Sequence, residues 1–213
     1  MPRKVLLALV LLYLGVQGLP FLEGFRTTPD DVAYHAITMG GERHFWAFVH
    51  HAAQSQGRIV HYLDVPVTLL AAYFAENTGF RIFYTAFHFL TLALFAHFVA
   101  LLSRRPIGVL LLIVLVSFQP LDYFHLPPNA YPFHVSLPVF LILCSRIGLL
   151  RLRRQERPGF WRSLPWQVPA FVGVMFGEGA FLFFVAVVVM ELLVEVRPAA
   201  AAPDRGMRAP LVA

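Results

Sequence analysis

The sequence predicts an all-α fold: a polytopic transmembrane helical bundle with about five or six membrane segments and interfacial helices in the first outer loop. Three observations predict it. Hydrophobic residues fill 58% of the 213 positions and charged residues only 14%, where a soluble domain carries about 25% charged residues. Mean hydropathy is +0.67. The apolar residues also fall into long runs separated by Arg-, Gly- or Pro-bearing breaks, the layout of helices that satisfy their own backbone hydrogen bonds in lipid. The net charge of +5 does not point to nucleic acid, because the basic residues are nearly all Arg and cluster between apolar runs, as topology signals and lipid-headgroup contacts do. A single cysteine, Cys144, excludes an intrachain disulfide framework and a Cys-based metal site. In its apolar run it reads as a small buried side chain.

The first segment is residues 4–22, where Arg3 and Lys4 precede an apolar stretch that continues through Leu19, Phe21 and Leu22. A secretory signal has a similar start. No Ala-x-Ala cleavage site follows, so an uncleaved helix is expected, ended or kinked by Pro20. A polar stretch of roughly 40 residues, 23–64, comes next, and a loop that long in a compact protein is usually functional. Residues 65–75 are apolar but too short to span, which predicts an interfacial helix. The next span is 82–102, closed by Ser103-Arg104-Arg105, with Pro106 opening the following helix. Residues 107–118 reach only part of the way across. Residues 119–134 form a second polar and aromatic loop, its path set by Pro120, Pro127, Pro128 and Pro132. The span 135–150 ends in Arg151, Arg153, Arg154 and Arg157.

The last apolar block, 166–194, reads either as one long helix or as a hairpin turning at Gly177-Glu178-Gly179. A charge at the bilayer centre costs at least about 2.5 kcal/mol, and two flanking glycines favour a break, so the hairpin is preferred. A transmembrane helical domain is thus expected over residues 1–197, with a disordered Ala/Pro-rich tail at 198–213. With the hairpin, the basic clusters at Arg3/Lys4, Arg104/Arg105, 151–162 and 197–208 all fall on one side. The positive-inside rule makes that side cytoplasmic. The 23–64 loop, the 119–134 loop and Glu178 then share the outer face.

Several polar groups on that face are candidates for chemistry. Asp30 and Asp31 follow Pro29 just past the first span. Adjacent carboxylates can bind a divalent cation or supply a general base. Thr28-Pro29-Asp30-Asp31 also reads as a helix start with a cap, a proline and acids in its first turn, and the two readings are compatible. Residues 42–56 place Phe45, Phe48, Val49, Ala52 and Ala53 on one face of an amphipathic helix, and Gln56-Gly57-Arg58 supplies a glycine stop. Arg58 can pair bidentately with a phosphate or touch lipid headgroups. The nine His do not make a metal site by spacing: His50 and His51 cannot face one ion from a helix, and His44 and His51 are too far apart. His88 and His97 are expected to hydrogen-bond between helices. Glu178 is either an intramembrane functional charge or a surface turn residue. Asp122, His125 and His134 can line the same cleft from the second loop.

This arrangement resembles the GT-C superfamily of polytopic glycosyltransferases, in the bacterial branch of the O-antigen glucosyltransferase type. The resemblance spans residues 1–195. It rests on the first span followed at once by Thr28-Pro29-Asp30-Asp31, the aromatic amphipathic stretch ending in Gln56-Gly57-Arg58, and the later Gly177-Glu178. It implies transfer of a sugar from a polyprenyl-phosphate donor at the outer face of a bacterial inner membrane, as part of cell-envelope synthesis. It also implies that Asp30 or Asp31 acts as general base or metal ligand. Arg58, with Gln56, His125 and His134, would bind the donor, and Glu178 would be a second acid. Whether a divalent cation takes part does not follow, because the superfamily varies. Such proteins run to about twice this length, so an N-terminal half, or a chain completed by a partner subunit, is expected.

The partners expected are therefore the lipid-linked sugar donor and membrane lipids, with no nucleic acid. The competing reading is a non-catalytic membrane protein, either an assembly or transport component or an inactive fragment. A transporter gathers its polar groups at the bilayer midplane, whereas here they gather at one face.

Overall fold

The longest apolar run, capped by Asn77, forms a helix on which four others pack. The computed structural model describes residues 3–22, 29–74, 77–117, 132–155 and 159–195. Among these residues the chain is all-helical and holds no strand: α1 Arg3–Leu22, α2 Pro29–Met39, α3 Glu42–Ser55, α4 His61–Phe74, α5 Thr78–Ser103, α6 Gly108–Ser117, α7 Pro132–Gln155, α8 Phe160–Val174 and α9 Glu178–Glu195. The 198–213 tail, Asp122 and His125 lie outside the described residues, as do the side chains of Asp30, Asp31 and His134.

The Asn77 side chain accepts from the Phe80 N–H at 3.0 Å, satisfying a donor that the first turn leaves without an intrahelical partner. From there α5 runs 26 residues, about 39 Å at 1.5 Å per residue, and packs against α1, α6, α7 and α9. Two apolar clusters hold it. Phe98 meets Leu143, Ile147 and Leu150 of α7 and Val187 of α9. Phe89 and Ala96 meet Leu112 and Val116 of α6, with Val10, Tyr13 and Leu14 of α1 closing the group. Tyr13 and Ser117 also hydrogen-bond through their hydroxyls.

Interhelical bonds fix the directions of the helices. His88 Nδ1 meets Ser136 Oγ at 3.0 Å, and Arg151 Nη2 donates to His97 Nε2 at 3.0 Å, so α5 and α7 run parallel. Both histidines bridge helices, as their place in the sequence predicts. The α7–α8 pair is antiparallel and close. A Cβ at Gly148 would overlap the Trp166 ring, and one at Gly173 would lie 2.9 Å from the Pro138 carbonyl oxygen; small residues are what let helix backbones approach this far. The block 166–194 is therefore two helices, as the hairpin reading expects, and the turn is Met175–Gly177. Arg104, Arg105, Arg151, Arg153 and Arg162 consequently collect at one end of the bundle, and Glu178 lies at the other.

Two helices are long and apolar enough to cross a membrane, Thr78–Ser103 and the segment Val135–Arg153; Lys4–Leu19 and Gly108–Ser117 are shorter apolar helices. Against the five or six segments expected from sequence, α6 has 10 residues, about 15 Å, half of a hydrocarbon core of about 30 Å. Other boundaries also move. Pro106 lies ahead of α6, in a turn that Arg104 enters with φ 54°. The interfacial helix expected over 65–75 begins earlier, at His61, and contains Pro66.

Inside the bundle, Arg146 of α7 holds Glu191 of α9 in a bidentate pair: Nε donates to Oε1 at 2.7 Å, and Nη2 donates to Oε2. Glu191 is 2% exposed, and Arg153 Nη1 reaches its Oε2 at 3.8 Å. Removing one partner of such a pair leaves a buried charge and costs about 3–5 kcal/mol, whereas replacing both by apolar residues is often neutral. The expected outcome is therefore a large loss of thermal stability for Glu191→Leu, recovered in Glu191→Leu combined with Arg146→Met. Equal losses in the single and double variants would show that the pair does not carry this buried charge.

Candidate functional site

The site begins with the way α3 stops. Gln56 is its C-cap at φ −97°, and Gly57 follows at φ +63°, a left-handed conformation that costs a residue with a Cβ roughly 1–2 kcal/mol. The Gly57 N–H donates to Gln54 O at 3.2 Å and the Arg58 N–H to Ala53 O at 3.0 Å. These are the paired bonds of a Schellman motif, which caps the last carbonyls of a helix. The His61 N–H then donates to Arg58 O at 3.1 Å and α4 starts. One tight reversal thus carries Gln56, Arg58 and His61.

Each of the three has a partner. Arg58 Nη2 lies 2.8 Å from Glu178 Oε1, with the two side chains 47% and 79% exposed. Glu178 opens α9, after Gly177 at φ +139° whose carbonyl accepts from the Phe181 N–H at 3.1 Å. A carboxylate in a first helical turn is favoured by the peptide dipoles. His61 Nδ1 lies 3.0 and 3.1 Å from the two Asp64 oxygens, and His61 Nε2 lies 2.9 Å from Gln56 Oε1. Asp64 is 4% exposed. The imidazole faces oxygen at both nitrogens. Both bonds form from a protonated ring, or from a neutral ring when the Gln56 amide turns to donate. Nearby, His50 Nδ1 meets Tyr62 Oη at 2.8 Å and ties α3 to α4.

Two kinds of electrostatics therefore share this turn. The Arg58–Glu178 pair is open to water, where such pairs are worth about 0–1 kcal/mol, so an anion can claim the guanidinium at small cost. The His61–Asp64 pair is buried and oriented, the arrangement in which a carboxylate holds an imidazole for proton transfer or for hydrogen bonding.

Of the residues singled out from sequence, Arg58 and Glu178 are brought together. Gln56 engages His61. Asp30 and Asp31 occupy the first turn of α2, the helix start that Pro29 and the acids predict, and α2 packs against α3 and α4. His134 lies in the first turn of α7. Among the described residues, no three His, Cys, Asp or Glu side chains converge to hold a metal ion. Sequence reasoning missed His61 and Asp64, whose i, i+3 spacing at a helix start is a usable signal. It also missed Arg146 and Glu191, ionisable residues inside runs read as apolar. No family model, curated protein or solved structure matches the chain.

Gly57→Ala is expected to destabilise the protein by about 1–2 kcal/mol through its positive φ, read as a lower Tm. Gly15→Ala, at a helical position with nothing within 4 Å of the new Cβ, is expected to leave Tm unchanged or raise it. An unchanged Tm for Gly57→Ala would mean that the turn relaxes freely.

Proposed function

We propose that this chain is a multi-pass integral membrane protein that transfers a sugar from a polyprenyl-phosphate donor at the end of the bundle carrying the α3–α4 turn. The membrane reading draws on surface and charge. In their most apolar stretches α5 is 28% buried and α7 50% buried, whereas a soluble core helix would be mostly covered. Leu7, Leu12, Leu90, Leu110 and Leu182 are exposed on four helices, as side chains that face lipid are. The arginines collected at the opposite end agree with a cytoplasmic side there. That orientation puts the N-terminus in the cytoplasm and the Arg58–Glu178 pair outside.

The catalytic reading is carried by one observation: the residue assigned to phosphate and the later acid, from distant parts of the chain, meet at 2.8 Å. A planar guanidinium matches a phosphate fork and stabilises the charge that appears on it as the anomeric C–O bond breaks. The acceptor oxygen attacks the anomeric carbon and gives its proton to a carboxylate. By resemblance that carboxylate is Asp30 or Asp31, on the helix that packs against α4. Glu178 gives up Arg58 as the donor arrives. His61, held by Asp64, positions Gln56 beside the phosphate.

A second reading is favoured by the mutual satisfaction of Arg58 and Glu178, which is what a plain tether in a non-catalytic membrane protein would also need. Two experiments separate these readings. In a Cys144→Ala background, an impermeant maleimide applied to sealed cells or vesicles is expected to label Ala36→Cys and Ser103→Cys from opposite sides. Labelling of both from one side would overturn the topology. With a reconstituted polyprenyl-phosphate sugar donor, Arg58→Ala is expected to raise the donor KM roughly tenfold or more, about 1.4 kcal/mol of binding. Asp30→Asn or Asp31→Asn is expected to abolish transfer at normal expression. Full activity in both Asp variants removes the base, and an unchanged KM for Arg58→Ala reduces the pair to a tether.

A further inference from the structure

Away from that turn, α7, α8 and α9 line an open cavity of about 630 Å³, within the range of about 300–1,000 Å³ typical of ligand sites. Its wall is graded along the bundle axis. Toward the arginine-bearing end it is lined by Arg146, Arg153, Ser163 and Gln167; toward the Met175–Gly177 turn it is lined by Phe171, Val174, Phe181 and Phe184. Ser145 also lines it, 0% exposed, and its hydroxyl is buried without a hydrogen-bond partner among the described residues. Leaving a buried hydroxyl unpaired is costly, so this atom points to a missing acceptor or donor inside the cavity.

The polar end is built. The Gln167 amide donates to Ser163 Oγ at 3.0 Å, which fixes both side chains. Arg146 lies against Glu191 on one side and has its guanidinium carbon 6.0 Å from the centre of the Phe184 ring on the other. A guanidinium carries five N–H donors, so the bidentate bond from Arg146 to Glu191 leaves donors over. Arg153 Nη1 reaches Glu191 Oε2 at 3.8 Å, with its side chain 45% exposed. The wall therefore presents the Arg146 and Arg153 guanidinium groups at its polar end and aromatic rings at the other. That gradient matches a molecule with an anionic head and a hydrocarbon tail lying along the helices.

We propose that this cavity is a binding site for one anionic phospholipid from the leaflet at the arginine-bearing end. Its phosphate would be held by Arg153, Arg146 and the Ser145 hydroxyl, and an acyl chain would lie against Phe171, Val174, Phe181 and Phe184. The site is separate from the Arg58–Glu178 turn, which lies at the opposite end of α9. It rests on the membrane-protein reading but not on the glycosyl-transfer reading. The occupant would act as structural glue: it would fill the space between α8 and α9 and add a counter-charge next to a buried ion pair.

The test uses the full chain in two steps. Flotation with phosphatidylcholine vesicles first establishes whether the protein inserts. The protein is then placed in phosphatidylcholine nanodiscs with or without a quarter of phosphatidylglycerol, extracted in neutral detergent, and weighed by native mass spectrometry. The expected result is a retained phosphatidylglycerol on the wild type, in preference to phosphatidylcholine. Arg153→Gln should lower that retention about tenfold, and Val174→Trp, which fills the apolar end without touching a charge, should displace the lipid. Insertion without a preference for phosphatidylglycerol, or retention unchanged in both variants, would overturn the site and leave the membrane reading standing. Failure to float would overturn the membrane reading itself, and the site with it.

Discussion

The Arg146–Glu191 pair sets the rotation of α9. A helix of apolar residues can turn about its axis at little cost, because one Leu or Val resembles another to its neighbours. A bidentate carboxylate–guanidinium bond in a low-dielectric interior does not allow that freedom, since both charges lose water and replace its hydrogen bonds only in one geometry. With Glu191 pinned against α7, the other end of α9 is fixed as well. Glu178 leaves the hairpin on the side where Arg58 waits.

The same pair explains why α7, α8 and α9 act as one layer. α7 and α8 pack closely where Gly148 faces the Trp166 ring and Gly173 faces the Pro138 carbonyl, while α9 is held by a charge and by Val187, Phe183 and Met190 at the Phe98 cluster. Between the tight contact and the charged one lies the open cavity. Packing that is dense on one side and polar on the other leaves room where the two meet, and the residues that line that room inherit both characters.

At the opposite end the polar groups divide by depth. Asp64 is buried and holds His61, and through it Gln56, in a fixed pose. Arg58 and Glu178 stand in water and are free to exchange partners. A site for a charged ligand needs both kinds: a rigid scaffold that costs nothing to assemble at the moment of binding, and a cation whose existing partner is weak enough to yield.

Much of this was legible in the amino-acid order, because it depends on neighbours in the chain. Apolar runs required helices. Gly57 required the reversal after α3, Pro29 with its acids the start of α2, and Gly177 the break that makes the last block a hairpin. Each is a local matter of backbone conformation and of the first and last hydrogen bonds of a helix. Some boundaries were displaced, as at His61, four residues early, and at Gly108, just past Pro106. The pairings belong to the tertiary structure alone. That Arg58 reaches Glu178, that Arg146 rather than a surface arginine neutralises Glu191, and that Ser145 faces a cavity all depend on the rotation and register of helices far apart in the chain. Those are set by packing and by the cost of burying charge, which a one-dimensional pattern of apolar and polar residues does not encode.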